Sequence, residues 1–136
     1  MEANFGVVYM TIAYWCVLIA AYLPIFWTGV AKFSGGKFGR AENSAPRSYL
    51  AALTGWRQRA NWAQMNGFES FPPFASAVII GHLCGVTQQW LDLLSVTFIA
   101  LRVLHGVFYI ADLGYWRSAV WFGSVGCVVT IFIMSA

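Results

Sequence analysis

Charge is scarce in this sequence. Charged residues fill 10% of its 136 positions, while hydrophobic residues fill 60% and aromatic residues 18%; an average soluble domain is roughly one-quarter charged. A chain this short cannot hide so much apolar surface in a core of its own, which excludes an ordinary water-soluble fold. Acidic groups are scarcer still, five against eight Lys and Arg, for a formal net charge of +3. Six of the eight basic residues lie between Lys32 and Arg59. That clustering is a membrane-topology signal and not a nucleic-acid footprint, so no nucleic-acid partner is expected.

Paired cysteines are missing as well. Cys16, Cys84 and Cys127 are scattered through apolar stretches without a Cys-x-x-Cys pair or a histidine at ligand spacing, so neither disulfides nor a metal site is expected. The first five residues carry Glu2 and no Lys or Arg. A secretory signal needs a basic start, so the first apolar segment is expected to stay in the membrane as a helix. Gly35-Gly36-Lys37 lacks the strand and helix context of a phosphate loop and reads as a flexible connection.

What is present is a set of long apolar runs, at about residues 5–31, 60–86, 89–112 and 116–135. Each is long enough for the roughly 20 residues that a ~30 Å hydrocarbon layer demands. The expected fold is an all-α integral membrane protein, a single four-transmembrane-helix bundle over residues 1–136 in contact with membrane lipids. The segment 32–57, with Gly35, Gly36, Gly39 and Pro46, reads as a loop with a short interfacial turn at Ser48 to Thr54. Lys32, Lys37, Arg40, Arg47, Arg57 and Arg59 flank this connection, whereas Thr87 to Asp92 has no basic residue. The loop is therefore assigned to the cytoplasmic side and both termini to the other.

Trp56, Trp62, Trp90, Tyr115 and Trp116 fall near span ends, where amphipathic rings sit at headgroup level. Pro24 and the Pro72-Pro73 pair fall inside spans, which neighbouring helices can tolerate by supplying partners to the freed carbonyls; a kink is expected near Phe71. Ala119, Gly123 and Cys127 follow a small-xxx-small spacing that lets another helix approach closely, within the bundle or in an oligomer.

The most informative residues are those that lipid tolerates least: Asn66 and Glu69 in the second span, Arg102 and His105 in the third. An Asp, Lys or Arg at a helix centre costs roughly 2.5 to 3.5 kcal/mol on insertion scales. At about 1.5 Å per residue, Glu69 lies about 18 Å and Asn66 about 13 Å from the cytoplasmic end of their helix. The antiparallel third helix places Arg102 about 16 Å, His105 about 12 Å and Tyr109 about 6 Å from the same end. Depth therefore pairs Glu69 with Arg102 as a buried ion pair, sets Asn66 beside His105, and leaves Arg59, Tyr109 and Arg117 at the mouth. Arg102, His105 and Tyr109 share one helix face at i, i+3 and i+7. An ion pair that only glues helices together is the plainer reading. A column of basic groups, tyrosine, asparagine and histidine opening to one side better suits a pocket for a charged small molecule. His82 and Cys84, two apart at the far end of the second span, read as structural.

At these residues the sequence resembles the MAPEG family, the membrane-associated proteins of eicosanoid and glutathione metabolism, and its bacterial branch in particular. The segment from Arg59-Ala60 through Asn66-Gly67-Phe68-Glu69 to Pro72 is similar to the family's second-helix signature of Arg-Ala, Asn-x-x-Glu and Pro. Arg102 to Tyr109, with Arg117-Ser118, is similar to its third-helix Arg-x-x-Tyr-x-x-x-Tyr and the basic residue opening its fourth helix. The resemblance covers nearly the whole chain. It implies a homotrimer in a bacterial inner membrane, with glutathione as co-substrate in a cleft between protomers near the cytoplasmic surface. By position, Asn66 and Glu69 hold the peptide and amino end of glutathione, Arg102 supports Glu69, Tyr109 contacts the tripeptide and Arg117 stabilises the thiolate. A guanidinium beside a thiol lowers its pKa, and the thiolate is the nucleophile.

The sequence departs from that pattern twice. Trp62 stands where glutathione-using members carry an Arg four residues before the Asn, leaving Arg59 one turn earlier to reach the same carboxylate. His105 stands where a Tyr is usual. A histidine can hydrogen-bond a thiol or act as a base near neutral pH, which makes it a catalytic candidate beside Arg117, or it can be a satisfied core residue. The implied activity is a glutathione-dependent transferase or peroxidase for lipophilic electrophiles at the cytoplasmic face. The alternative is a non-catalytic relative that binds a lipid or serves other membrane subunits as an accessory partner. An ion or proton pathway is disfavoured, because the outer half of the spans lacks polar residues.

Overall fold

The computed structural model describes residues 9–35 and 38–136, so the start of the first apolar run (5–8) and Gly36 and Lys37 of the loop lie outside the described residues. Helix α1 spans Ile12–Phe33, the short helices α2 and α3 span Arg40–Ser44 and Pro46–Ala51, and three long helices follow: α4 Gly55–Leu83, α5 Gln88–Ile110 and α6 Gly114–Met134. No strand occurs among the described residues.

Helix α1 starts where the Thr11 hydroxyl accepts the Tyr14 amide at 3.2 Å, and its second free amide, on Ala13, donates to Asp92 of α5 at 2.8 Å. The Gln88 side chain donates to the same carboxylate oxygen at 2.7 Å. A carboxylate at a helix N-terminus satisfies amides that have no intrahelical partner. The other end of α1 is closed by Arg57, which donates to the carbonyls of Ala31 and Lys32 at 2.9 and 3.1 Å and to the Tyr49 hydroxyl at 2.6 Å. Between these ends Ala13, Cys16, Ala20, Pro24, Trp27 and Ala31 form one buried stripe at helical spacing.

The connection from Ser34 to Thr54 contains two helices in place of a continuous loop. Helix α2 is closed at its start by Glu42, whose carboxylate accepts the Gly39 amide at 2.7 Å. Phe33, Phe38 and Tyr49 meet edge to face, and Leu50 and Leu53 pack with Ala31 and Ala60 in a small core at this end. Tyr49 and Leu50 belong to α3, which takes in the first part, Ser48 to Ala51, of the segment read from sequence as an interfacial turn.

Helix α4 continues through Pro72 and Pro73, and the Ser76 hydroxyl donates to the Pro72 carbonyl at 2.7 Å. It packs against α1, α5 and α6, while α5 also contacts α1 and α6. Between lipid-like surfaces apolar burial drives little association, so close approach through small residues matters more. A Cβ on Gly67 would stand 2.8 Å from the Pro24 ring, and one on Gly81 would stand 2.9 Å from both Ile131 and Leu91. A Cβ on Gly106 would overlap the Trp27 indole. The main core lies at mid-length, where Phe74 and Phe98 stack with centroids 3.9 Å apart and planes within 3°.

Three helices, α1, α5 and α6, are long and apolar enough to cross a membrane. Helix α4 has the length, 29 residues, but its first half carries Arg57, Arg59, Asn61, Gln64, Asn66 and Glu69, which lowers its hydropathy below that of the other three. Its neighbours on three sides explain how so polar a helix is accommodated.

Candidate functional site: a polar-to-apolar groove along α4, α5 and α6

The buried stripe of α5 runs Leu91, Ser95, Phe98, Arg102, His105. Arg102 and His105 therefore occupy core positions, 4% and 3% exposed. The Arg102 guanidinium donates from Nη2 to Asn66 Oδ1 at 2.7 Å. Asn66 in turn donates from Nδ2 to Glu69 Oε2 at 3.2 Å. Three residues from two helices thus form a relay: cation, amide, carboxylate. A direct ion pair of Glu69 with Arg102 does not form, which corrects the pairing deduced from depth. Glu69 is exposed on the protein surface and Asn66 takes its place beside Arg102. Equal depth on two helices fixes only one coordinate, and the faces they present put Asn66 nearer.

Toward the basic-loop end, the His105 ring meets Tyr109 edge-on with centroids 5.4 Å apart. The Arg117 guanidinium lies over the Tyr109 ring at 4.5 Å, a cation–π contact that holds the charge in place without neutralising it. Among the described residues the one ion pair joins Arg59 and Asp112, at 3.9 Å, so Arg117 has no carboxylate partner there. His105 Nδ1 and Arg102 Nη1 are buried without a protein partner. His105, Tyr109, Arg117 and Ser118 line a cavity of about 330 Å³, closed by Asn66, Trp121 and Phe122. Trp62, whose ring is 6.2 Å from that of Tyr109, lines an adjoining space of about 350 Å³ with Met65, Asn66, Glu69 and Tyr109.

Arg59 is not part of this cluster. It donates from Nε to the carbonyl of Ile110 at 3.1 Å and faces Asp112, so it caps the C-terminus of α5 as Arg57 caps that of α1. Sequence reading took it as a mouth residue; its actual position follows from the free carbonyls at a helix C-terminus, which attract a cation.

Deeper along the same groove, α4 and α6 enclose a second cavity of about 410 Å³. Asn66, Glu69 and Ser70 form one edge, and Pro73, Phe98, Trp121, Val125, Val128, Val129 and Phe132 supply apolar walls. Of the apolar residues only Pro73 was singled out from sequence, and as a helix irregularity, not as part of a site. Trp121 and Val125 stand four and eight residues after Arg117, on the same face of α6, so helical spacing from the basic residue is the signal that could have found them.

The groove can bind an anionic, hydrogen-bonding molecule at its cationic end and an apolar one at its other end. The chain is thus defined as a helical membrane protein with an amphipathic groove. Residues 12–136 match the MAPEG family model, and the chain belongs to the MAPEG family. No curated protein and no solved structure matches it.

Proposed function

We propose that this protein is a glutathione-dependent transferase or peroxidase acting on lipophilic electrophiles at the cytoplasmic face of a bacterial inner membrane. The observation that carries the reading is the joining of two environments in one groove. An unneutralised Arg117 stands at a polar mouth, and an apolar cavity between α4 and α6 adjoins it. In this reading Asn66 and Glu69 bind the peptide and amino end of glutathione, and Arg102 orients them through the Asn66 amide. Tyr109 contacts the tripeptide and Arg117 stabilises the thiolate. His105, which lines the same mouth and has no protein partner at Nδ1, offers a hydrogen bond to the glutathione sulfur beside Arg117.

The reading includes α4 as a fourth span and both termini on the non-cytoplasmic side. Twenty-nine residues reach about 44 Å along a helix axis, enough to cross a ~30 Å layer. It also includes a homotrimer: an exposed Glu69 carboxylate at membrane depth is costly facing lipid, and a neighbouring protomer covers it.

Calorimetric titration of glutathione into the detergent-purified protein, wild type beside Arg117→Ala, tests the proposal. Saturable binding that weakens in Arg117→Ala, with turnover of a lipophilic electrophile lost and the assembly intact, is the expected outcome. One observation favours a second reading, a non-catalytic protein binding a lipid or partner subunits: Arg59 is committed to Ile110 and Trp62 stands at the mouth, so a glutathione carboxylate has fewer cations to meet. Absence of binding at millimolar glutathione selects that reading.

A further inference from the structure

The polar mouth and the apolar cavity have just two lining residues in common, Asn66 from α4 and Trp121 from α6. Asn66 is held on both sides, by Arg102 and by Glu69. Trp121 carries no side-chain hydrogen bond among the described residues, is half-buried, and packs edge-on against Phe122 at 5.0 Å. One wall of the partition is therefore fixed by a charged relay and the other is a rotatable aromatic side chain.

We infer that Trp121 is the size gate of the groove: it determines how large a substituent can extend between the mouth beside Arg117 and the cavity between α4 and α6. Its substrate consequence rests on the glutathione reading above. A thiolate held by Arg117 attacks an electrophilic carbon at the mouth, the new sulfur–carbon bond forming as the bond from that carbon to its leaving group breaks and the leaving group departs with the electron pair, and the rest of the electrophile must lie across the Asn66–Trp121 boundary in the apolar cavity. Beyond the boundary Phe98, Val125, Val128 and Phe132 offer no charge, so an uncharged hydrocarbon portion is accepted there. Because the indole stands at this boundary, a narrow chain is expected to pass beside it more readily than a branched or polycyclic group next to the reacting carbon. The class selected is an electrophile with a slender, unbranched apolar substituent at its reactive centre. Trp121 acts as a specificity residue, one helical turn after Arg117 on α6.

Two measurements on full-length protein in detergent test the gate. The first titrates glutathione, S-methylglutathione, S-hexylglutathione and S-tritylglutathione into wild type, Trp121→Phe and Trp121→Ala. Trp121→Ala is expected to improve S-tritylglutathione binding by about tenfold or more, in the range by which pocket shape discriminates apolar groups. Trp121→Phe should fall between, each affinity being taken relative to that of glutathione for the same variant. The second needs no glutathione: on a Cys84→Ser background, Val128→Cys in the apolar cavity is labelled with a small anionic methanethiosulfonate reagent. The rate should rise when Trp121→Ala opens the path from the polar mouth. If labelling responds to Trp121→Ala but neither glutathione nor its S-methyl form binds, the gate stands and the glutathione reading falls. If labelling of Val128→Cys is the same with and without the indole, the gate is overturned whatever glutathione does. An unchanged size profile in protein that binds glutathione overturns it equally.

Discussion

Asn66 Oδ1 receives the Arg102 guanidinium, Asn66 Nδ2 donates to Glu69, and the amide is thereby fixed in one of its two orientations. The consequence is an unequal division of labour between the two charged partners. Arg102 is enclosed and Glu69 is exposed in the protomer, so removing Arg102 does not strand Glu69 as a buried charge, and on removal of Glu69 the buried Arg102 still keeps its bond to Asn66. Glu69→Gln is expected to fold and assemble like wild type, because a neutral amide oxygen still accepts from Asn66. Arg102→Leu should cost about 1.5–3 kcal/mol, the range for a hydrogen bond to a charged group, and should release the Asn66 amide. Thermal unfolding in detergent separates the two variants, and an equal loss for both would restore the direct ion pair. This relay was only half legible beforehand. Depth along the helices identified the participants, but the order in which they touch depends on rotation about each helix axis, which no count of residues supplies.

At the scale of elements, the start of α4 closes two of its neighbours. Arg57 caps α1 and Arg59, two residues on, caps α5. Consecutive even-spaced positions on a helix diverge by about 200°, so the two guanidinium groups reach different helices lying on different sides. From composition the clustered basic residues read as a topology signal; that two of them serve as structural caps was not visible, because a helix terminus offers free carbonyls only once its end is located. The cap on α5 lies next to the turn that leads to Arg117. Arg59→Ala is therefore expected to lose about 1–3 kcal/mol of stability and to raise proteolytic cleavage at the turn around Asp112, a residue held at φ +62°. Arg59→Lys, which still presents a cation to the Ile110 carbonyl, should recover most of the loss. Cleavage unchanged in Arg59→Ala would show that the turn needs no cap.

At the scale of the whole molecule, the four long helices leave many large apolar side chains exposed, among them Ile19, Phe26, Val96, Phe122 and Val129, as a protein solvated by lipid requires. Helix α4 differs in carrying its polarity inward and toward the groove. If it crosses the bilayer as proposed, Cys84 at its end and the α2–α3 connection lie on opposite sides of the membrane. In sealed vesicles of defined orientation, an impermeant maleimide should label exposed Cys84 from one side, and Ala45→Cys, on a Cys84→Ser background, from the other. Labelling of both from the same side would mean that α4 does not span. The same preparations, analysed by native mass spectrometry, report whether three copies assemble around the exposed Glu69.

Sequence by itself determined that the chain is helical, membrane-embedded and built around a few polar residues on its second and third long helices, because lipid makes each charge costly and each apolar run conspicuous. It also carried the family, through the residues around Asn66, Glu69, Arg102 and Arg117. Tertiary structure decided the rest. Contacts between helices depend on rotation and register, and these are set by close packing at Gly67, Gly81 and Gly106 and by the reach of individual side chains. That packing put Asn66 between Arg102 and Glu69, turned Arg59 onto the end of α5, and stood Trp121 between the polar mouth and the apolar cavity.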